Sequence, residues 1–416
     1  MEYDVARVRG LYVSLSDGWT YLNAHACPQI PERVSASVAR SFRLSTAVAD
    51  LEAATGSHSR VQRPGRLEGE SFIDAARFAV ADLVGAGPER VVLGPSLEVL
   101  YHSLARAMRP LLRTTSSVVL SHLDPPTLSM PFTGVGAEVR WAQPDLGTGE
   151  LPGWQYNDLV DGSTRLVAIS AAHELLGTLA PVTEITEVTR SRSRAWVLVD
   201  ASAYAPYRPV EVDDWDADIV AVDLAKLGGP ALSALVFRDP AMFRRLESLN
   251  PGVGPKAATA AKLETPVSSG LAGGVPTIVD HLADLVETSG TRPTRRHRLE
   301  HSMTELADYL DDLNEDLYTF LGTLPAVHIL GVTGEAAAGG PAERLPRLSF
   351  AVRGVPAETV HQRLFDNGLV TTIAPMTPLL TEMGVGEIGG AVTVALSPFN
   401  NRHDIEHLIR VVASLA

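Results

Sequence analysis

Short β-rich runs alternate with helical stretches along most of the chain. Phe72, Ala76, Ala79 and Leu83 recur at helical spacing and the pattern stops at Gly85 and Gly87, which predicts a helix ending there. Residues 55–69 before it are polar and carry Gly and Pro, so they read as a surface loop. Apolar runs follow at 91–93, 118–121, 138–142, 166–170, 196–200 and 219–222, with 234–237 as a seventh. Several are apolar on consecutive positions, as in strands buried on both faces of a mainly parallel sheet. From about residue 290 the texture changes to a long helical stretch, strands at 327–330, 348–352 and 391–396, and a closing helix from about Arg402. The expected fold class is α/β: a large domain over 21–289 with a mainly parallel seven-stranded sheet, and a smaller α+β domain from 1–20 with 290–416.

Composition narrows the function classes. The 416 residues carry 35 Lys+Arg against 49 Asp+Glu, a formal net charge of -14. That balance argues against a nucleic-acid surface. Neither a leader peptide nor a run of roughly 20 apolar residues is visible, so no membrane association and a cytoplasmic location are expected. The single cysteine, Cys27, forms no internal disulfide and no cysteine-based zinc site. Only Lys226, Lys256 and Lys262 are lysines, so a site that requires a lysine has three candidates.

Ligands of an open parallel sheet bind at the carboxyl ends of its strands. Asp200 ends the run at 196–200, and the run at 219–222 leads into DLAKLGGP, which places Lys226 in a short loop closed by glycines. An acid after one strand and a lysine after the next are the minimum for pyridoxal phosphate chemistry: a Schiff-base lysine, and an acid for the pyridinium nitrogen. The segment VLVDASAYAPYRPVEVDDWDADIVAVDLAKLGGP resembles the core of class V aminotransferases, the cysteine desulfurase group of fold-type I (aspartate aminotransferase-like) pyridoxal phosphate enzymes. The resemblance extends through YLNAHACPQIP, VVLGPS, LSHLDPPTLSMPF, GTLAPV and FNNRHDIEHL, the last similar to the family's Tyr-Asn-Thr signature.

The resemblance implies roles residue by residue. Asp200 and Lys226 take the places of the ring-nitrogen acid and the Schiff-base lysine. The Ser-x-His before the lysine is here Asp223 and Ala225. The phosphate-binding turn ending in threonine is GPSLE, with Ser96 kept and Glu98 at the threonine position. Pro125, after Asp124, stands where the family has a ring-stacking histidine, Glu174 where it has an asparagine facing the phenolic oxygen, and Ala203 where it has a glutamine. Thr393 takes the place of the substrate-carboxylate arginine, LETPVSSG lacks the Gly-Thr pair of the family's dimer interface, and NGLVTTIAPMTP lacks the desulfurase cysteine. Acids near a phosphate seat replace donors by like charges. At about 4 Å and an effective dielectric near 20, each repulsion costs roughly 4 kcal/mol.

Two readings follow. In one, the chain is a divergent family member with a largely degraded cofactor site, weak or no pyridoxal phosphate binding and no standard desulfurase activity. In the other, it is a functional pyridoxal phosphate enzyme of aminotransferase, lyase or epimerase type acting on an amino acid through Lys226. Both imply a homodimer and a small amino-acid-like ligand. His297 and His301, spaced i, i+4, have no evident third metal ligand and read as a solvated face. His25 and His173 are candidate proton carriers or packed histidines, and Arg292, Arg295, Arg296 and Arg298 read as a solvated domain junction.

Overall fold

The computed structural model describes residues 3–49, 65–287, 293–331 and 343–415. The part of the expected surface loop over 55–64, and Arg292, lie outside the described residues. A two-residue strand β1 (Thr20–Tyr21) comes first, followed by β2 (Val91–Gly94), β3 (Ser117–Ser121), β4 (Glu138–Ala142), β5 (Thr164–Ser170), β6 (Trp196–Asp200), β7 (Ile219–Asp223) and β8 (Ser233–Phe237). Strands β2 to β8 form one seven-stranded sheet in the order β2–β8–β7–β6–β5–β3–β4. All its pairings are parallel except those of β8 with β2 and β7.

The consecutive apolar runs have a direct physical basis. In β6, Val197 and Val199 enter one core while Trp196 and Leu198 enter the other; β7 divides Val220 and Val222 from Ile219 and Ala221 in the same way. Each strand is therefore apolar on both faces. The edge strand β4 departs from this: Glu138 is exposed and Val139, Arg140 and Trp141 are half-buried.

The C-terminal part adds β9 (Val327–Ile329), β10 (Arg347–Val352), β11 (Leu369–Val370), β12 (Thr372–Ile373) and β13 (Val392–Ala395). Four of these form an antiparallel sheet, β12–β13–β10–β9, while β11 pairs in parallel with β1. An isolated bridge from Asn23 to Ala395 extends that attachment of the N-terminal segment. Strands of two residues are too short to leave a periodic signal, which is why β1, β11 and β12 were not anticipated. The long helix spans Arg295–Gly322 and buries Leu299, Met303, Leu306, Leu310, Leu313, Leu317 and Leu321, a stripe at three- and four-residue spacing. Arg295, Arg296 and Arg298 near its start are matched by acids: Arg295 reaches Asp82 at 2.6 Å, Arg296 pairs with Glu211 and Glu300, and Arg298 pairs with Asp284. Among the described residues no helix is long and apolar enough to cross a membrane.

Candidate active-site cleft

Parallel pairing brings the carboxyl ends of β5, β6 and β7 to one edge, with Ser170 opposite Asp200 and Asp200 opposite Ala221. Asp200 is buried; its Oδ2 accepts the Tyr101 hydroxyl at 2.8 Å and its Oδ1 accepts the Ser202 N–H at 2.9 Å. Burial pushes this carboxyl above its ordinary range, while the bonds from Ser202 and Tyr101 pull it back. Tyr101 belongs to the helix Leu97–Ala107, whose amino end is capped by Ser96: the Ser96 hydroxyl oxygen accepts the Val99 N–H at 3.3 Å. Asp124, after β3, ties two strand ends together by accepting the N–H groups of Ser170 at 2.7 Å and Ser121 at 3.2 Å. Burial pushes its carboxyl up to about 7.

Lys226 sits in a single 3₁₀ turn, Leu224–Leu227. Asp223 caps that turn: its Oδ1 accepts the Ala225 N–H at 3.0 Å and the Ser233 hydroxyl at 3.4 Å. Its carboxylate is thus engaged in shaping the lysine loop, a role not expected of it as a free charge at a phosphate seat. Gly228 closes the turn at φ +81°, and a Cβ there would stand 2.6 Å from the Gln29 carbonyl oxygen, so only glycine fits. The Lys226 ammonium donates to the His25 carbonyl at 2.7 Å and to Glu174 Oε2 at 3.4 Å. Burial would raise the Glu174 carboxyl, but Lys226 and Arg347 together hold it below its ordinary value.

Arg347 is the cleft residue that sequence reasoning missed. It opens β10, is 2% exposed, and donates to the Glu174 carbonyl at 3.0 Å and the Ala203 carbonyl at 3.1 Å. Its guanidinium lies 4.8 Å over the Tyr207 ring, its Nε has no partner, and among the described residues no carboxylate lies within 4 Å of it. Thr393, the position aligned with the family's arginine, is buried and exchanges a 2.7 Å hydrogen bond with Ser349 on the paired strand. The cation thus comes from β10, two residues before the partner of Thr393, where a position-by-position comparison does not look.

Glu98 is exposed in the first turn of the helix Leu97–Ala107, and Pro125 is half-buried at the start of the helix Pro126–Thr133, so it presents no aromatic face. His25 is buried with an unpartnered Nδ1; burial, reinforced by Arg347, pushes its imidazole down to about 4. His173 Nδ1 accepts the N–H groups of Leu175 and Leu176 and shapes the turn before Thr178. Cys27 is exposed, and among the described residues no group of three or more His, Cys, Asp or Glu side chains is arranged to hold a metal.

His173 yields a stability prediction. Burial pushes its imidazole from 6.5 down to about 4, so the folded chain binds fewer protons than the unfolded one between those values. This contribution is full above about pH 6.5 and is lost as pH falls toward 4, amounting to about 2 kcal/mol between pH 7 and pH 5. Asp124 acts in the opposite sense, so a variant is needed to isolate the histidine. His173→Asn keeps an acceptor for both N–H groups; urea unfolding at pH 7 and pH 5 should show a stability difference changed by about 2 kcal/mol relative to the parent. An unchanged difference would mean that His173 titrates normally.

The family model described as "Aminotransferase class-V" matches residues 20–408. Uncharacterized protein MT3887 of Mycobacterium tuberculosis is 39% identical over 422 residues, covering 100% of both chains. Aminotransferase-like protein FGM3 of Gibberella zeae is 25% identical over 357 residues, 82% of each chain. Among solved structures, the cysteine desulfurase CsdA of Escherichia coli superposes with a TM-score of 0.78 at 18% identity, covering 100% of this chain and 98% of that one. The fold is that of fold-type I pyridoxal phosphate enzymes.

Proposed function

The chain belongs to the aminotransferase class-V family, and we propose that it keeps the family cleft as a site for a small amino-acid-like anion while binding pyridoxal phosphate weakly or not at all and lacking standard cysteine desulfurase activity. The observation that carries this reading is the Lys226–Glu174 ion pair at 3.4 Å. Glu174 puts a carboxylate where the family faces the cofactor's phenolic oxygen with a neutral amide, so an anion would meet an anion. The rest of the cleft fits the cofactor at one end only. Asp200 and Lys226 match the needs of the ring nitrogen and the aldehyde, whereas Glu98 at the phosphate end and Pro125 at the ring face do not. Arg347 supports the anion: a buried guanidinium with a free Nε and no carboxylate beside it gains most from a ligand that brings one.

The preserved pair of Asp200, held by Tyr101, and Lys226 favours the second reading, a functional enzyme of aminotransferase, lyase or epimerase type. One experiment separates the two. Purified protein titrated with pyridoxal phosphate is expected to stay without a saturable visible absorbance band. A band that saturates and disappears in Lys226→Ala would overturn the proposal in favour of the enzyme. In the same preparation, α-amino acids are expected to raise the melting temperature, and Arg347→Met is expected to abolish that rise. The homodimer belongs to this reading too. Phe42, Leu44, Val48, Leu67 and Phe78 are exposed apolar side chains on neighbouring segments, a surface suited to a second copy. Sedimentation velocity showing only monomer would remove that part.

A further inference from the structure

A concavity of about 560 Å³ opens at the opposite edge of the large sheet, the amino-terminal one. Its walls carry five arginines: Arg165 near the start of β5, Arg190 and Arg192 in the last turn of the helix Val182–Arg192, Arg194 two residues before β6, and Arg245 at the end of the 3₁₀ segment Pro240–Arg245. The cofactor-type cleft lies at the far end of the same strands, about 13 Å away along the five residues of β6. Among the described residues no acidic side chain lines the concavity.

Two observations set this group apart from an ordinary charged surface. The first is charge balance. Arg190 is neutralised by Asp216 at 3.1 Å and Asp218 at 2.7 Å, but among the described residues Arg165, Arg192, Arg194 and Arg245 have no carboxylate within 4 Å. Four unopposed guanidinium groups in one hollow are unexpected in a chain of net charge -14. The negative end of a helix dipole accounts for arginines in the last turn, Arg190 and Arg192, but not for Arg165, Arg194 or Arg245, which come from other elements. The second is positioning. Arg165 Nη1 donates to the carbonyls of Gly162 at 2.8 Å and Thr164 at 2.9 Å, Arg192 Nε donates to the Val160 carbonyl at 3.0 Å, and Arg245 lies 5.4 Å over the Trp196 ring. Each of these three is held through one part of its side chain while other N–H donors stay unused.

Several planar guanidinium forks held in a concave, acid-free wall match the geometry of phosphate oxygens. Four positive charges match a chain of linked phosphates better than a single one. We propose that this arginine hollow binds a polyphosphate group, carried either by free polyphosphate or by a nucleoside polyphosphate, independently of the cleft around Lys226.

Calorimetric titration of the full chain with inorganic tripolyphosphate and, separately, with adenosine triphosphate tests it. Saturable binding of tripolyphosphate is expected, weakening steeply as salt rises, with orthophosphate at least tenfold weaker. The double variant Arg192→Ala/Arg194→Ala should lose at least tenfold in affinity while keeping the parental circular dichroism and unfolding midpoint. Equal affinity for the two probes would identify the phosphate chain alone as the ligand; tighter adenosine triphosphate would add a contribution from the nucleoside. Absence of saturable heat with both probes, orthophosphate binding as tightly as tripolyphosphate, or a folded double variant that binds like the parent would each overturn the proposal.

Discussion

Glu174→Asn combined with Glu98→Thr is expected to raise the affinity for pyridoxal phosphate by about a hundredfold, read as the appearance of a saturable visible absorbance band. A like-charge contact near 4 Å costs between about 1 kcal/mol in bulk water and about 4 kcal/mol at an effective dielectric of 20. Glu98 is exposed, so its repulsion lies toward the lower bound and its replacement alone gains only a fewfold. The side chain of Glu174 is 48% exposed and pairs with Lys226, so its replacement both removes the repulsion at the phenolic oxygen and frees the amine. Asp223→Ser should not add to the gain, because the Asp223 carboxylate is already turned to the Ala225 N–H and the Ser233 hydroxyl, and serine would serve as the same kind of cap. A flat spectrum in the double variant, or a larger gain from Asp223→Ser than from Glu174→Asn, would show that these acids do not control cofactor entry.

The capping role of Asp223 lies beyond what local sequence carries. Six strands of the large sheet were legible because each is apolar toward two cores at once, with the edge strand β4 the exception, and the positions of Asp200 at the end of one such strand and Lys226 shortly after the next need only local sequence. What each carboxylate faces depends on tertiary pairing. Asp223 caps a turn, whereas Glu174 meets an ammonium brought from the turn after β7. Tyr101 illustrates the limit: it sits among Leu100 and Leu104 on a buried helix face, and nothing in that apolar pattern tells that its hydroxyl ends on Asp200. Arg347 is legible only once β10 and β13 are paired in register. The FNNRHDI segment, read as a family signature, has a structural explanation as well. Asn401 and Asp404 form a capping box for the helix Arg402–Ala413, and the Asn400 side chain donates to the Tyr21 carbonyl at 3.0 Å, which fastens β1 to that helix. These contacts hold the helix and β1 in place whether or not the cleft is active.

Lys262→Met is expected to lower stability by about 3–5 kcal/mol, although the position plays no part in the cleft. The Lys262 side chain has no exposure, and its ammonium donates to three backbone carbonyls: Phe243 at 2.7 Å, Leu246 at 2.9 Å and Pro255 at 2.6 Å. Methionine fills the space of the aliphatic stem but donates nothing, and each acceptor left dry costs about 1–3 kcal/mol, offset in part by no longer burying a charge. A lower urea midpoint with an unchanged slope checks this, and a parental midpoint would mean that water reaches the carbonyls. The contrast with Lys226 explains why a count of three lysines could not assign roles. Three carbonyls satisfy every donor of Lys262 and make it a fastener of the loop that follows β8. Lys226 shares its donors between one carbonyl and a carboxylate, an arrangement that a ligand can displace.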